Sequence, residues 1–224
     1  MSEDNAKNAS NSLVGAPSVG SSYRNGWQRL KKYFLELLLI TVIGIVIGVP
    51  LGIFRVDADT IGAGAAILGI LGFAYSLLIA QPVDYGISFA NLRAARGDKL
   101  EIKDMFEAFK NYINVVLANL LAGAIIIIGL ALLIVPGIVF ACKLAFVPYL
   151  AVDRKMEAIG AVKLSWRMTG GYAWKVFLIG LLAIPISIAG LICFGVGIIF
   201  ALMWIRLAFA SLYHAVSVSG QTPS

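Results

Sequence analysis

Fifteen of the eighteen Lys and Arg residues of this chain fall in three clusters, Lys7–Lys32, Arg93–Lys110 and Arg154–Lys175, five to each. Each cluster is followed by an apolar stretch long enough for one membrane hairpin. Cationic side chains are retained on the cytoplasmic side of a membrane, so this spacing predicts a topology: six spans in three hairpins, with both ends inside. Arg55 stands in a short loop, whereas Lys143 and Arg206 each interrupt an apolar run.

Composition agrees with lipid as the solvent for much of the surface. Charged residues make up 13% of the chain and hydrophobic ones 60%, against about 25% charged in soluble domains. The net charge of +6 follows from cytoplasmic retention of cations, and no recognition fold organises it for nucleic acid. The expected domains are a polar, disordered cytoplasmic tail over 1–22, a membrane domain over 23–216, and a polar cytoplasmic tail over 217–224. The first segment has no apolar core of the kind a cleavable signal peptide needs. Cys142 and Cys193 lie in apolar runs without a His or Cys at ligand spacing, which predicts small buried hydrophobes and no metal.

The first span is predicted over Tyr33–Phe54, about 22 residues, enough at 1.5 Å per residue to cross roughly 30 Å of hydrocarbon. The second run extends from Ile61 to Leu92. Pro82 is expected to kink it and leave Val83–Leu92 as a tilted or interfacial continuation. An amphipathic stretch follows, with Ile102, Met105, Phe106, Phe109, Tyr112 and Ile113 on one face and Lys103, Asp104, Glu107, Lys110 and Asn111 on the other, as for a helix in the headgroup plane. The third span is expected over Ile113–Leu133, with Val135-Pro-Gly137 as the outer turn. The fourth covers Ile138–Val152 and carries Pro148. A second amphipathic segment, Glu157–Thr169, leads to the fifth span, Tyr172–Cys193. Gly195 and Gly197 form the last turn, and the sixth span ends near Tyr213. The fold class is therefore all-α, a polytopic bundle of six transmembrane helices with interfacial amphipathic helices.

Ile134-Val-Pro-Gly-Ile-Val-Phe140 lies sixty residues before Phe194-Gly-Val-Gly-Ile-Ile-Phe200, with Gly48-Val-Pro-Leu-Gly-Ile-Phe54 as a degenerate third copy. Either the hairpin repeats or each turn independently selects Gly and Pro. Small residues at fourfold spacing, Gly44, Gly48 and Gly52, then Ala65 and Gly69, suit close helix packing; a pore lining is the other reading.

Certain short motifs carry a resemblance. They are Gly86 with Leu92-Arg-Ala-Ala-Arg-Gly97, Asp104-Met-Phe106 with Phe109, Ile134-Val-Pro-Gly-Ile138, Phe146-Val-Pro-Tyr-Leu150 with Asp153, and Ala161–Ser165 continuing through Met168–Gly171 to Phe177. In these the chain resembles a bacterial family of six-span membrane proteins of unknown function. More distantly it is similar to the membrane domain joined to some glycerophosphodiester phosphodiesterases. The resemblance implies the six-span topology and no reaction, because no phosphodiesterase catalytic domain accompanies it. Lys143 departs from the aromatic or small polar residue expected there.

No catalytic constellation stands in the sequence: Ser165 and Ser211 have no base–acid pair nearby. His214, the single histidine, reads as an interfacial surface residue. Trp27, Tyr33, Tyr112, Trp166, Tyr172, Trp174 and Tyr213 fit an aromatic belt at the inner boundary. The candidate intramembrane polar site is Lys143, Arg206 and Asp84, since ionisable groups inside spans are costly and are functional or paired. Asp84 and Glu36 are the available counter-charges, and Lys143 is close enough to the outer turn to snorkel outward. The site reads either as an anion or lipid-phosphate site, or as a structural Arg–Asp pair beside a snorkelling Lys. The expected role is non-enzymatic, without cofactor or metal: an accessory, assembly or envelope-homeostasis factor of a bacterial inner membrane. The alternative is a small transporter or channel for an anionic substrate or lipid. Expected partners are membrane lipids, anionic ones included, other membrane proteins or a second copy of the chain.

Overall fold

The computed structural model describes residues 17–53, 63–192 and 196–219, which are helical with short connections and contain no strand. Helix α1 (Val19–Lys32) is followed by α2 (Phe34–Ile53), and α3 (Ala63–Tyr75) runs through a π-helical turn (Ser76–Ala80) into α4 (Gln81–Arg96). A 3-10 segment (Ile102–Asn111) leads into α5 (Tyr112–Leu132), then α6 (Ile134–Leu144), α7 (Val147–Asp153) and α8 (Ala158–Met168). Helices α9 (Ala173–Ile192) and α10 (Val196–Ser219) complete the bundle.

Among the described residues, five helices are long and apolar enough to cross a membrane: Gly64–Arg96, Ile102–Leu132, Ile134–Asp153, Ala173–Ile192 and Gly197–Ser219. A sixth arises if α1 and α2, bent by 97° at Tyr33, count as one broken span. The chain is a multi-pass membrane bundle by this measure. Large apolar side chains stand exposed on α2, α3, α5, α6 and α9, as lipid contact requires.

The three basic clusters meet at one end of the bundle. Asn25 donates to the Ala95 carbonyl, linking the first cluster to the second. Arg96 grips Asp153 beside the third, and Lys175 of the third donates to the Pro17 carbonyl beside the first. Tyr33 donates its hydroxyl to the Gly97 carbonyl at the same end. Gly97 caps α4 in the left-handed region at φ 89°, where a β-carbon would be strained.

Four local expectations are corrected. The segment read as a disordered tail over 1–22 is helical from Val19, because Ser18 accepts from the Ser21 amide as an N-cap; residues 1–16 lie outside the described residues. At the other end α10 continues to Ser219, beyond Tyr213 and into the predicted tail. The turn after α5 is one residue, extended Leu133, and Val135-Pro-Gly137 already belongs to the first turn of α6, where the missing N–H of Pro136 leaves no helical bond unmade. Val83–Leu92 is no interfacial continuation: Val83, Tyr85, Ile87, Ala90 and Leu92 are core residues covered by the 3-10 segment, α2 and α10.

That covering explains Gly86, where a β-carbon would collide with the Met105 carbonyl. Met105, Ala108 and Asp104 face α4, and Asp104 caps its own segment while pairing with Arg93 at 2.6 Å. Ile102, Phe106 and Phe109 remain exposed. The amphipathic stretch therefore has two apolar faces, one closing on α4 and one outward, and Asp104 leaves the solvent face predicted for it.

The repeat has a structural counterpart in the packed helix pairs α5–α6 and α9–α10. Gly129 of α5 meets the Gly137 Cα at 3.0 Å, and Gly190 of α9 meets the Gly197 carbonyl at 2.7 Å, both measured from an ideal β-carbon. Gly137 and Gly197 stand at equivalent places in the two copies. Residues 54–62, where the degenerate copy ends, lie outside the described residues, as do Arg55 and Cys193.

Candidate functional site

Helices α2, α4 and α10 enclose a cavity of about 270 Å³. Its wall on α2 is made of Thr41, Gly44 and Gly48; on the opposite side stand Ser76, Gln81 and Asp84; Leu202 and Arg206 come from α10. Two backbone features open this space. Gly48 presents no side chain toward it, and a β-carbon there would meet nothing within 4 Å, whereas at Gly44 the side chain of Ile87 on α4 closes against α2. The π-helical turn widens the opposite wall, with the Gln81 amide bonding to the Ser76 carbonyl five residues back.

The π turn is built around Pro82. Proline has no N–H to give the Leu78 carbonyl four residues before it, and that carbonyl accepts from the Tyr112 hydroxyl at 2.9 Å. Tyr75 likewise donates to the Ile47 carbonyl on α2 at 2.8 Å. Two tyrosines thus tie the irregular turn to its neighbours beside the cavity.

Arg206 and Asp84 pair inside the cavity through one contact, Nη2 to Oδ1 at 2.7 Å. The remaining guanidinium N–H groups and the second carboxylate oxygen have no partner among the described residues. Nor do the side chains of Thr41, Ser76 and Gln81 hydrogen-bond to any described residue. The second Arg–Asp pair of the bundle is built differently. Arg96 holds Asp153 through two parallel bonds of 2.6 and 2.7 Å, and Tyr213 adds a third at 3.4 Å. Side-chain exposure separates the two pairs: 27% and 12% for Arg96 and Asp153, but 37% and 46% for Arg206 and Asp84. In Arg96–Asp153 both carboxylate oxygens are engaged and the carboxylate is nearly buried. Arg206–Asp84 is open on both partners.

The structure brings two of the three predicted site residues together and sets the third apart. Lys143 does not line the cavity. It sits at the end of α6 with its ammonium 5.5 Å from the centre of the Trp166 ring on α8, a distance suited to cation–π attraction. The expected outward snorkelling is corrected: Trp166 belongs to the segment that carries the third basic cluster. Ser165 and Thr169 donate their hydroxyls to the Lys143 carbonyl where α6 breaks before Pro148, giving Ser165 a structural task. Glu36 makes no ion pair with a described residue.

His214 is also corrected, from surface to buried, because α1 and the end of α4 cover that part of α10. Near it Asn25 bridges the Ala95 carbonyl and the Ser211 hydroxyl. Cys142 is half-buried and borders an apolar groove between α6 and α9. No group of three or more His, Cys, Asp or Glu with metal-binding geometry occurs among the described residues.

Sequence reasoning missed Arg96–Asp153, whose members are 57 residues apart. Both stand in short motifs that the sequence singles out, Leu92–Gly97 and Phe146–Leu150 with Asp153. It also missed Thr41, Ser76 and Gln81, ordinary polar residues whose meaning comes only from the wall they share.

The chain matches no family model, no curated protein and no solved structure.

Proposed function

We propose that this chain is a six-span protein of a bacterial cytoplasmic membrane, with both ends cytoplasmic. It acts without catalysis, as an accessory or envelope-homeostasis factor that holds a polar ligand between α2, α4 and α10. The observation that carries the reading is the contrast between the two Arg–Asp pairs. An ion pair that only braces helices is best closed and fully hydrogen-bonded, since each unmet polar group beside lipid is costly. Arg96–Asp153 comes nearer that description, with two parallel bonds that engage both carboxylate oxygens, whereas Arg206–Asp84 is held by one contact and leaves donors and an acceptor turned into a cavity with three further unengaged polar side chains. The junction of all three basic clusters at one end supports the cytoplasmic placement of that end.

The test replaces Cys142 and Cys193 by Ala and introduces single cysteines. Those at Asp57 and Val135 should react with an impermeant thiol reagent applied to whole cells, and those at Lys99 and Met156 only after permeabilisation. A cysteine at Gly48 should react with a small charged thiol reagent, as a polar, ligand-accessible cavity requires. Labelling of Lys99 from outside would overturn the topology, and an inert Gly48→Cys would overturn the cavity as a site.

A transporter for the same class of ligand is the second reading. The feature that favours it is the irregular helix at the cavity: a π turn and Pro82 facing Gly44 and Gly48. Broken helices at a binding site are how many transporters admit alternating access. Uptake of labelled ligand into liposomes containing the purified chain, lost in Arg206→Gln, separates transport from binding alone.

A further inference from the structure

We infer that the cavity receives a phospholipid headgroup that carries a primary ammonium as well as a phosphate, the phosphate lying on Arg206 and the ammonium on Asp84. This rests on the reading of the cavity as a ligand site and names the ligand.

The charge of the wall is the first argument. One guanidinium and one carboxylate line the cavity. A lone anion drawn to Arg206 would meet the Asp84 carboxylate, and a lone cation drawn to Asp84 would meet Arg206. A zwitterion answers both. Because the pair is joined through a single contact, a ligand can take the free guanidinium donors and the free carboxylate oxygen without first dismantling a two-bond clamp such as Arg96–Asp153.

Size and surroundings choose among zwitterions. At about 270 Å³ the cavity falls just under the usual range for drug-sized ligands and suits a compact headgroup. A primary ammonium brings three N–H donors to the Asp84 carboxylate and the hydroxyls of Thr41 and Ser76, whereas a quaternary ammonium brings none and more bulk. The rim is apolar: Ile45 and Leu202 both border the cavity and stand exposed. Acyl chains continuing from the phosphate would leave over that rim into the bilayer, which a soluble zwitterion does not need.

The cavity also lies at a transition in both helices. Along α4 and α10 the last exposed large apolar residues are Ile79, just before α4, and Leu202, and beyond them both helices are buried or half-buried as far as Arg96 and Val218. Asp84 and Arg206 follow those residues by five and four positions. Lipid-facing helix gives way to covered helix at the level of the charges, a place where a headgroup can enter from the side while its chains stay with the lipid.

The test uses the full chain in a lipid-free neutral detergent. Thermal unfolding is followed on titration with short-chain phosphatidylethanolamine, phosphatidylcholine or phosphatidylglycerol, or with soluble phosphoethanolamine. Phosphatidylethanolamine should bind at least about tenfold more tightly than the other lipids, as a charge-assisted hydrogen bond to Asp84 implies. Asp84→Asn should bring it down to the affinity of phosphatidylglycerol, and Arg206→Gln should remove the response to every phospholipid. Lys143→Gln, outside the cavity, should respond as the wild type does. Should either charge variant fail to fold, Gly48→Leu decides, because it fills open space without touching the charges and should abolish the response in a folded protein.

Equal or tighter binding of phosphatidylglycerol would overturn the zwitterion assignment and leave a phosphate site standing. Soluble phosphoethanolamine binding as tightly as the lipid would overturn the lipid assignment alone. A wild type that responds to nothing, with Gly48→Cys still labelled, would overturn the inference but not the cavity. Silence in both experiments would overturn the two together.

Discussion

Replacing Gly86 by Ala adds one methyl group where two backbones touch, and the structure gives the size of the effect. The new β-carbon would fall on the Met105 carbonyl oxygen, 2.5 Å from the carbonyl carbon and 3.2 Å from the Met105 Cα. Carbon atoms in ordinary contact stand about 3.5–4.0 Å apart, so α4 and the 3-10 segment must separate by about 1 to 1.5 Å. No flexible side chain is available to give way. A radial gap of this size forfeits half or more of the dispersion contact that Met105 and Ala108, both fully buried, make with α4. It also lengthens the Arg93–Asp104 pair. Overpacking costs about 1–3 kcal/mol, and the backbone collision puts Gly86→Ala at the upper end. The better helix propensity of Ala returns about 0.5–1 kcal/mol. The expected net loss is about 2 kcal/mol, or about 4–8 °C in unfolding midpoint for a chain of this size. Thermal unfolding of the purified protein in detergent reads it directly. Gly123→Ala and Gly48→Ala serve as controls, since a β-carbon at either meets nothing within 4 Å. Both should unfold at or slightly above the wild-type midpoint. Gly86→Ala as stable as Gly123→Ala would refute the close approach and the packing of the 3-10 segment on α4.

Asp153→Asn leaves Arg96 without its two-bond partner in a mostly buried setting. It should destabilise by about 3 kcal/mol in the same assay, at the low end for a broken buried pair because Arg96 keeps some solvent. Arg96→Lys, which cannot supply the fork, should lose about half as much. Arg206→Leu should be milder than Asp153→Asn, since the Asp84 it strands is nearly half exposed; a larger loss would mean that this pair is the structural one. Tyr112→Phe removes the hydroxyl that serves the Leu78 carbonyl and should cost about 1 kcal/mol. In a Pro82→Ala background, whose new N–H can serve that carbonyl, the cost should shrink, and a double-mutant cycle measures the difference. Additive losses would exclude the hydroxyl as a replacement for the missing N–H.

The membrane class was legible in the sequence because it follows from counting. Too few charges cover the surface, and the cations recur at the interval of a hairpin. The ends of helices were less legible: α4 runs past Leu92 to its cap at Gly97, and α6 begins at Ile134, ahead of the residues expected to form the turn. Internal geometry was not legible. Pro82 signals a disturbance of the helix, but whether that becomes a kink or a π turn depends on neighbours such as Tyr112, which serves the Leu78 carbonyl from 34 residues further along the chain. Asp104 shows the same limit. Periodicity assigns it to a solvent face, yet Arg93 draws it into a buried pair at 2.6 Å. A pattern of one face in and one face out fails for a segment covered on one side by protein and open on another to lipid.

The candidate site divides in the same way. Arg206 and Asp84 were visible one at a time, because a charge inside an apolar run must be explained by a partner or a ligand. Their pairing was a reasonable expectation, but the sequence offers Asp84 and Glu36 as equal counter-charges, and only the packing of α4 on α10 selects the first. Lys143 looked equivalent to Arg206 by the same criterion. Its long stem lets the ammonium reach Trp166, so an intramembrane position in the sequence need not place the charge among the other charges. What makes a site of the remaining two is an arrangement no residue announces. Gly48 leaves part of one wall bare, a π turn shapes the other, and a single contact leaves both partners of the ion pair with unused hydrogen-bonding groups. The proposed function rests on incomplete pairing, which sequence patterns register only as the presence of charge.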